Sequence, residues 1–379
     1  LCQVAQRLQA CLDAGDMIAR FGGDEFVLIV HARHEEGEGF RDRLAGLCGQ
    51  ILGMFAQPYA VSDLQLYSYG SIGLACAPED GRTVEALTKR ADIALYRAKK
   101  LGRNRHQFFE PGLEAALQNQ DNIERELRSA LKSRQLTLLY QIQVDRELRP
   151  VGAEALLRWY HPARGLLLPG DFLPDAVACD LIHDIDYWVL ENACATLGKW
   201  QNDPLLKDMT LAVNVTAKAV EHPAFVQTVV GVLDKYALSQ APLMLEITEH
   251  VRAQSFAETA RVIQQLHAHG VRFSLDDFGT GYSALESLKH LPFDEIKIDG
   301  AFVQDVTDSP VSQAAIACVV TLAKQLGIHL VAECVEQREQ LEHLRARGVD
   351  AFQGYLFGLP LPQQMLEEML RQTLQADAA

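Results

Sequence analysis

From about residue 136 onward the chain repeats one unit, a short apolar stretch ending in a polar residue and then a run with helical spacing. The stretches are LTLLYQ (Gln141), VGAEAL (Glu154), LAVNV (Asn214), LMLEIT (Glu246), RFSLDD (Asp276, Asp277), EIKID (Lys297), HLVAE (Glu333) and DAFQGY (Gln353). Strands that alternate with helices build a mostly parallel sheet covered on both faces. Eight such units over about 240 residues predict an α/β fold, a TIM-like (β/α)8 barrel over 136–379. In that fold the C-terminal strand ends form one mouth, where these polar residues are expected to gather.

The first 110 residues follow a different pattern and predict an α+β domain. Val4 to Leu12 has helical spacing, ARFGGDEFVLIV reads as two strands joined by a glycine turn, Leu64–Ala75 alternates as one strand, and Val84–Lys100 is amphipathic. Leu113, Leu117, Ile123, Leu127 and Leu131 form a helical stripe with Asp121 and Glu124 spaced as a capping box. Residues 111–135 are therefore expected to be a helical linker.

Carboxylates gathered in one mouth repel each other and lose hydration. Glu154, Glu246, Asp276, Asp277 and Glu333 would contribute −5, which two divalent cations and Lys297 would balance. Oxygen ligands without His or Cys favour Mg²⁺ or Mn²⁺ over zinc, and Asn214 adds a neutral oxygen. Two cations ~3.5–4 Å apart suit in-line displacement at phosphorus by a bridged water, with Lys297 holding that water or the phosphate charge. Asp276 and Asp277 would point to opposite faces inside a strand, so they are expected at its end. Taken singly, each residue has a plainer explanation: a surface ion pair for a lone Glu, a satisfied backbone for Asn214, solvation for Lys297. Eight in order are hard to explain that way.

Over residues 120–370 the sequence resembles the EAL-domain family of cyclic di-GMP phosphodiesterases. The motifs are EALLRW (Glu154-Ala155-Leu156), HPARGLLLPGDFLP, VNVT, EITE, DDFGTGYSAL, KID, AECVE and FQGYLFGLPLP. The resemblance implies a barrel whose first strand runs antiparallel, hydrolysis of cyclic di-GMP to linear pGpG, and a homodimer through the barrel. It makes Glu154, Asn214, Glu246, Asp276, Asp277 and Glu333 the shell of two Mg²⁺ or Mn²⁺ ions, with Lys297 beside the catalytic water and Lys297, Glu333 and Glu249 as the catalytic residues. Gln141, Leu156, Arg158 and Gln353 fall to the substrate, Arg158 suiting a phosphate oxygen, and Glu249 would anchor the loop carrying the aspartates. Departures from the family pattern are Ile142 for Pro, Cys334 for Gly beside Glu333, Val177 and Ala178 for an acidic pair, and Asp180 for Gly.

The first domain resembles the GGDEF family, which condenses two GTP molecules into cyclic di-GMP, through ARFGGDEF, SIGLA and ADIALYRAKKLGRNR. The resemblance assigns nucleotide and metal contacts to Gly22, Gly23, Asp24, Glu25, Lys99 and Arg103; paired glycines let backbone approach a phosphate or base. A plain Gly-Gly hairpin turn is the alternative. The family's opening strand and helix, with a further metal aspartate, are not found in the sequence, which is read as a C-terminal part of that domain within a longer protein. The inhibitory RxxD pattern is also absent, Asp13 standing in the arginine's place.

The leading expectation is a phosphodiesterase in which the GGDEF domain binds GTP or relays a signal. A bifunctional cyclase/phosphodiesterase and a non-catalytic cyclic di-GMP receptor remain the alternatives. A net charge of −15 argues against a nucleic-acid polymer as partner. Residues 1–119 hold 13 basic and 15 acidic side chains, net −2, which leaves −13 for the rest. Apolar runs are too short to cross a membrane, and eight scattered cysteines fit reduced, mostly buried thiols in a cytoplasmic setting. Membrane contact is expected, if anywhere, from parts beyond this sequence.

Overall fold

The computed structural model describes residues 1–33, 39–61, 64–66, 68–238, 242–248, 256–279 and 284–377, with 60, 61, 64, 114–121, 376 and 377 described by backbone alone. Contacts divide the chain into two compact units, Leu1–Ile123 and Glu124–Ala379.

The first unit begins with helix α1 (Cys2–Ala10) and the strands β1 (Met17–Gly22) and β2 (Glu25–Ile29). These two form an antiparallel hairpin that pairs with no other described strand. Helix α2 (Gly39–Phe55) leads to a second antiparallel pair, β3 (Tyr59–Val61) and β4 (Leu64–Leu66). Strand β5 (Ile72–Leu74) is joined through helix α3 (Val84–Lys100) to β6 (His106–Phe108), its parallel neighbour. Thr83 caps α3 by accepting from the Ala86 amide at 3.2 Å. Gly73 lets α3 lie directly on β5, since a Cβ there would run into Ala91 O and Leu95 N.

The single strand expected over Leu64–Ala75 is two. Its halves belong to different sheets, and between them a Cβ at Gly70 would collide with the Phe55 ring. The expected capping box at Asp121 and Glu124 is also overturned. Helix α4 runs unbroken from Leu113 to Lys132, so Asp121 is eight residues inside it. The helix starts behind Gly112, at φ +93°, and Glu124 serves instead as an i,i+4 partner of Arg128 at 3.1 Å.

The second unit is a closed eight-stranded barrel. Its strands are β7 (Leu136–Asp145), β8 (Pro150–His161), β10 (Thr210–Asn214), β11 (Leu243–Thr248), β12 (Arg272–Phe278), β13 (Glu295–Ile298), β14 (His329–Ala332) and β15 (Ala351–Gln353), with β9 (Gly165–Leu167) and β16 (Leu361–Pro362) added at its margins. From β8 through β10 to β15 every pairing is parallel. Strand β7 is antiparallel to both neighbours, β8 and β15, and its double pairing closes the barrel. All eight sequence units thus form strands, and the expected reversal of the first is present.

Strand EIKI and all but the last residue of LMLEIT are buried because helices cover the outside. Helix Ile182–Trp200 alone buries ten residues, and Trp159, Trp200, Phe172, Phe273 and Phe352 are almost wholly enclosed. Burying a side chain of that kind contributes roughly 1.5–3 kcal/mol.

The polar residues are not all at strand ends. Asn214 and Gln353 close β10 and β15, and Glu333 follows β14, whereas Gln141, Glu154, Glu246 and Lys297 lie within their strands. Strands β7 and β8 are long, at 10 and 12 residues, because they form a hairpin that runs past the barrel mouth. Their register puts Gln141 opposite Glu154.

Candidate active site

Lys297 is the centre of the barrel's polar interior and is fully buried. Its Nζ is 2.9 Å from Glu246, 3.5 Å from Glu154, 3.5 Å from Asp276 and 2.5 Å from Glu333. Four strands and the residue after β14 deliver these groups, so the ring exists only once the sheet has closed. Burial alone would pull the Lys297 ammonium down, but the four carboxylates Asp276, Glu154, Glu246 and Glu333 outweigh it and hold it well above the lysine range.

One ammonium cannot satisfy the whole ring. Burial, and then the charge of Glu154, push Glu246 well above the carboxylate range. Burial likewise pushes Glu333 to about 8, against the pull of Lys297. Glu154 is the exception: burial raises it, but Lys297 and the Gln353 and Asn214 amides bring it below its ordinary value. Burial thus favours the protonated form of Glu246 and Glu333, and a cation would have to displace those protons.

Amides fix the carboxylate of Glu154. Asn214 Nδ2 donates to one oxygen at 2.6 Å, and Gln353 Nε2 donates to the other at 2.6 Å. Gln353 Nε2 also donates to Gln141 Oε1 at 3.2 Å, and Gln141 Nε2 to the Gly358 carbonyl at 3.0 Å. Leu156 and Arg158 follow Glu154 at two-residue steps and so share its face of β8. Both are partly accessible, and Arg158 Nη1 donates to its neighbour's carbonyl, Leu157 O, at 2.8 Å. Burial lowers the Arg158 guanidinium, with Glu154 opposing.

The adjacent aspartates reach one place by a route the sequence did not reveal. They lie inside β12 rather than beyond it, and the register with β13 slips between Leu275 and Phe278. Asp277 takes up the extra residue with φ +55°, a left-handed conformation that Asp tolerates better than most. This bulge turns consecutive side chains to the same side. Ligand oxygens of Asp276, Asp277 and Glu333 all lie within 4.8 Å of one another.

The donor set fits a hard divalent cation. It is made of carboxylate oxygens, and Glu246 Oε1 is buried without any hydrogen-bond partner. Cys334 follows Glu333 directly. It adopts φ +53°, where a glycine would be at ease, and its Sγ occupies space left open by Gly300, where a Cβ would be 2.7 Å from it. Asp180, the other residue found where the family has Gly, is also left-handed at φ +58°. Glu249 lies outside the described residues, as does most of the GTGYSAL loop. Gln143, hydrogen-bonded to Gln353 at 2.9 Å, was missed; its two-residue offset from Gln141 was the available signal.

In the first unit Gly22, Gly23, Asp24 and Glu25 form the exposed tip of the β1–β2 hairpin, and Gly23 has φ +49°. Arg20 braces the tip by donating to the Gly23 carbonyl through Nε at 3.0 Å and Nη2 at 2.7 Å. Lys99 and Arg103 are exposed at the end of α3 and just beyond it. The eight cysteines are free thiols, with Cys48, Cys76, Cys179 and Cys194 buried.

A closed barrel with a reversed first strand and an all-oxygen acid ring around a buried lysine defines a TIM-like barrel with an acidic active site. The chain belongs to the EAL-domain family: the profile "EAL domain" matches residues 124–360, and "Diguanylate cyclase, GGDEF domain" matches residues 1–105. Among characterised proteins it is 40% identical over 367 residues to the bifunctional diguanylate cyclase/cyclic di-GMP phosphodiesterase MucR of Pseudomonas aeruginosa, covering 97% of this chain and 53% of that protein. It is 31% identical over 374 residues to the cyclic di-GMP phosphodiesterase PdeR of Escherichia coli, covering 99% and 55%. The chain therefore spans about half the length of the curated relatives it matches. Among solved structures, the PaMucR phosphodiesterase in complex with c-di-GMP is 39% identical with a TM-score of 0.62, over 65% of this chain and 99% of that one.

Proposed function

We propose that this chain hydrolyses cyclic di-GMP to linear pGpG, with residues 136–379 as the catalytic barrel, 111–135 as linker and 1–110 as a GGDEF domain that binds GTP or relays a signal. The observation that carries this reading is the ring of acids around Lys297, which includes a buried carboxylate oxygen without a partner. Glu154, Asn214, Glu246, Asp276, Asp277 and Glu333 would hold two Mg²⁺ or Mn²⁺ ions. Such ions polarise a phosphodiester and acidify water.

The chain's own groups do the rest. Arg158, half-buried and on the face of β8 that carries Glu154, binds a phosphate oxygen. Lys297 keeps its proton at Nζ and holds the attacking water in line, while the barrel wall excludes bulk solvent. Leu156 and Gln141 contact the dinucleotide beside them. A pure receptor for the same ligand has no use for a lysine buried among four acids. A bifunctional parent protein is the second reading, favoured by the exposed Gly22–Glu25 tip and by the description of MucR.

Homodimerisation is proposed through the barrel. Leu285 and Val311 are 66% and 76% exposed, and an apolar cavity of about 480 Å³ lined by Phe278, Leu285, Phe302, Cys318 and Leu322 lies on the same unit. Sedimentation that finds only monomer at micromolar concentration would refute it. Among the described residues no helix is long and apolar enough to cross a membrane, and a cytoplasmic location is proposed with the substrate.

The deciding assay incubates the chain with cyclic di-GMP and Mg²⁺ or Mn²⁺, with and without GTP, and follows pGpG by chromatography. Tight binding without pGpG at any metal concentration would overturn the enzyme in favour of the receptor. Glu154→Ala is expected to lower turnover by more than about a hundredfold, as loss of a direct ligand should exceed the 10–100-fold effect of its outer neighbours.

A further inference from the structure

Gln143 is only 6% exposed, and its side chain bonds to the amide of Gln353 rather than to an acid. It stands directly opposite Gln353 where β7 pairs with β15, just as Gln141 stands opposite Glu154 where β7 pairs with β8. Its Nε2 donates to Gln353 Oε1 at 2.9 Å. A carboxamide that receives a hydrogen bond on its oxygen must present its nitrogen to the other side. For Gln353 that other side is Glu154, at 2.6 Å, and Gln141, at 3.2 Å. The direction continues outward, because Gln141 accepts from Gln353 on Oε1 and so donates through Nε2 to Gly358 O at 3.0 Å.

We propose that Gln143 is a positioning residue that sets the amide orientation of Gln353 and thereby holds the Glu154 carboxylate in place to bind a divalent cation. Without the Gln143 donor only Glu154 and Gln141, accepting from Nε2, hold the Gln353 amide this way round, and an acceptor at position 143 competes with them for that nitrogen. Turned over, it would set its oxygen against the Glu154 carboxylate, two acceptors with no proton between them. Glu154 would then lose one of the two amides that fix its plane. Groups that orient a metal ligand in this way typically change metal affinity by about 10–100-fold. The inference rests on the cation site proposed above, and it adds a residue on the opposite side of the closing seam.

Two variants of the full chain separate this role from simple space filling. Gln143→Glu keeps the shape but replaces the donor by an acceptor, which favours the turned-over amide. Gln143→Met keeps the length and presents neither. Mn²⁺ binding is measured by calorimetry without substrate, alongside thermal unfolding and pGpG formation. The expected result is Mn²⁺ affinity lowered about tenfold or more by Gln143→Glu, less by Gln143→Met, with unfolding midpoints close to wild type. Unchanged Mn²⁺ affinity in both variants overturns the proposal, as does equal weakening that merely tracks a lowered midpoint. Wild-type protein that binds Mn²⁺ but makes no pGpG would sink the phosphodiesterase reading and leave this inference standing. Wild-type protein that binds no Mn²⁺ would sink both.

Discussion

Glu333 couples the site to pH. Burial holds its folded value near 8, while an unstructured Glu titrates near 4.5. Between those values the folded chain binds a proton that the unfolded chain has released, so in the absence of metal this residue favours folding less as pH rises. Metal binding has the opposite sign, because a ligand must first lose its proton. The Mg²⁺ concentration giving half-maximal pGpG formation is therefore expected to fall as pH rises towards 8, by up to about tenfold per pH unit for one proton released per ion. A Mg²⁺ requirement independent of pH from 6.5 to 8.5 would contradict this. Glu154, Glu246 and the aspartates were legible in the sequence as candidates, because each is an acid set in an otherwise apolar stretch. The protonation state of each was not. It depends on which neighbours converge, and Lys297 meets Glu246 only across the folded interior, 51 residues away in the chain.

At the scale of elements, the β12 bulge decides what the aspartates can do. Asp277→Asn keeps a residue that tolerates the left-handed backbone and removes one carboxylate, whereas Asp277→Ala also strains that backbone by roughly 1–2 kcal/mol. Both variants are expected to lose turnover, but only the alanine to lower stability in denaturant titrations. Equal stability would remove the bulge as the reason for an Asp there. The segment after β14 offers a second case. A methyl group at Gly300 would meet Cys334 Sγ, so Gly300→Ala should destabilise the barrel by about 1–3 kcal/mol as an overpacked contact. Adding Cys334→Gly, which also relieves a left-handed residue, should restore most of it; a double-mutant cycle with no coupling would contradict this. Strand number and order could be read from the alternation of apolar stretches with helices. The bulge could not, because RFSLDD reads as an ordinary strand until its partner's register is known. The capping box failed for a related reason: Asp121 and Glu124 have the right spacing, but the helix had already begun at Leu113.

The whole chain divides its labour unevenly. The first unit keeps its glycines and acids at an exposed hairpin tip, with Phe21 73% and Met17 61% exposed on β1; the second encloses a ring of acids around Lys297. Both halves carried family motifs, yet only the second had its chemistry spelled out by the order of its strands. That order also bears on how the molecule comes to exist. Strands β7 and β8 are neighbours in sequence and can pair early, whereas β7 must wait for β15, and Gln143 meets a Gln353 that is 210 positions further along the chain. Contacts so distant along a chain close late, because the entropy of the loop has to be lost first. A chain cut after residue 350, lacking β15, should keep helical signal but lose cooperative unfolding, and a sharp single transition in circular dichroism would speak against it. Synthesis delivers Glu154 about two hundred residues before Gln353, so a chain that has passed Glu333 but not reached residue 353 holds all the acids but lacks one of the two amides that fix Glu154. On the proposed function, the β7–β15 seam has to close before Gln353 can reach Glu154, so turnover is expected only from a whole barrel.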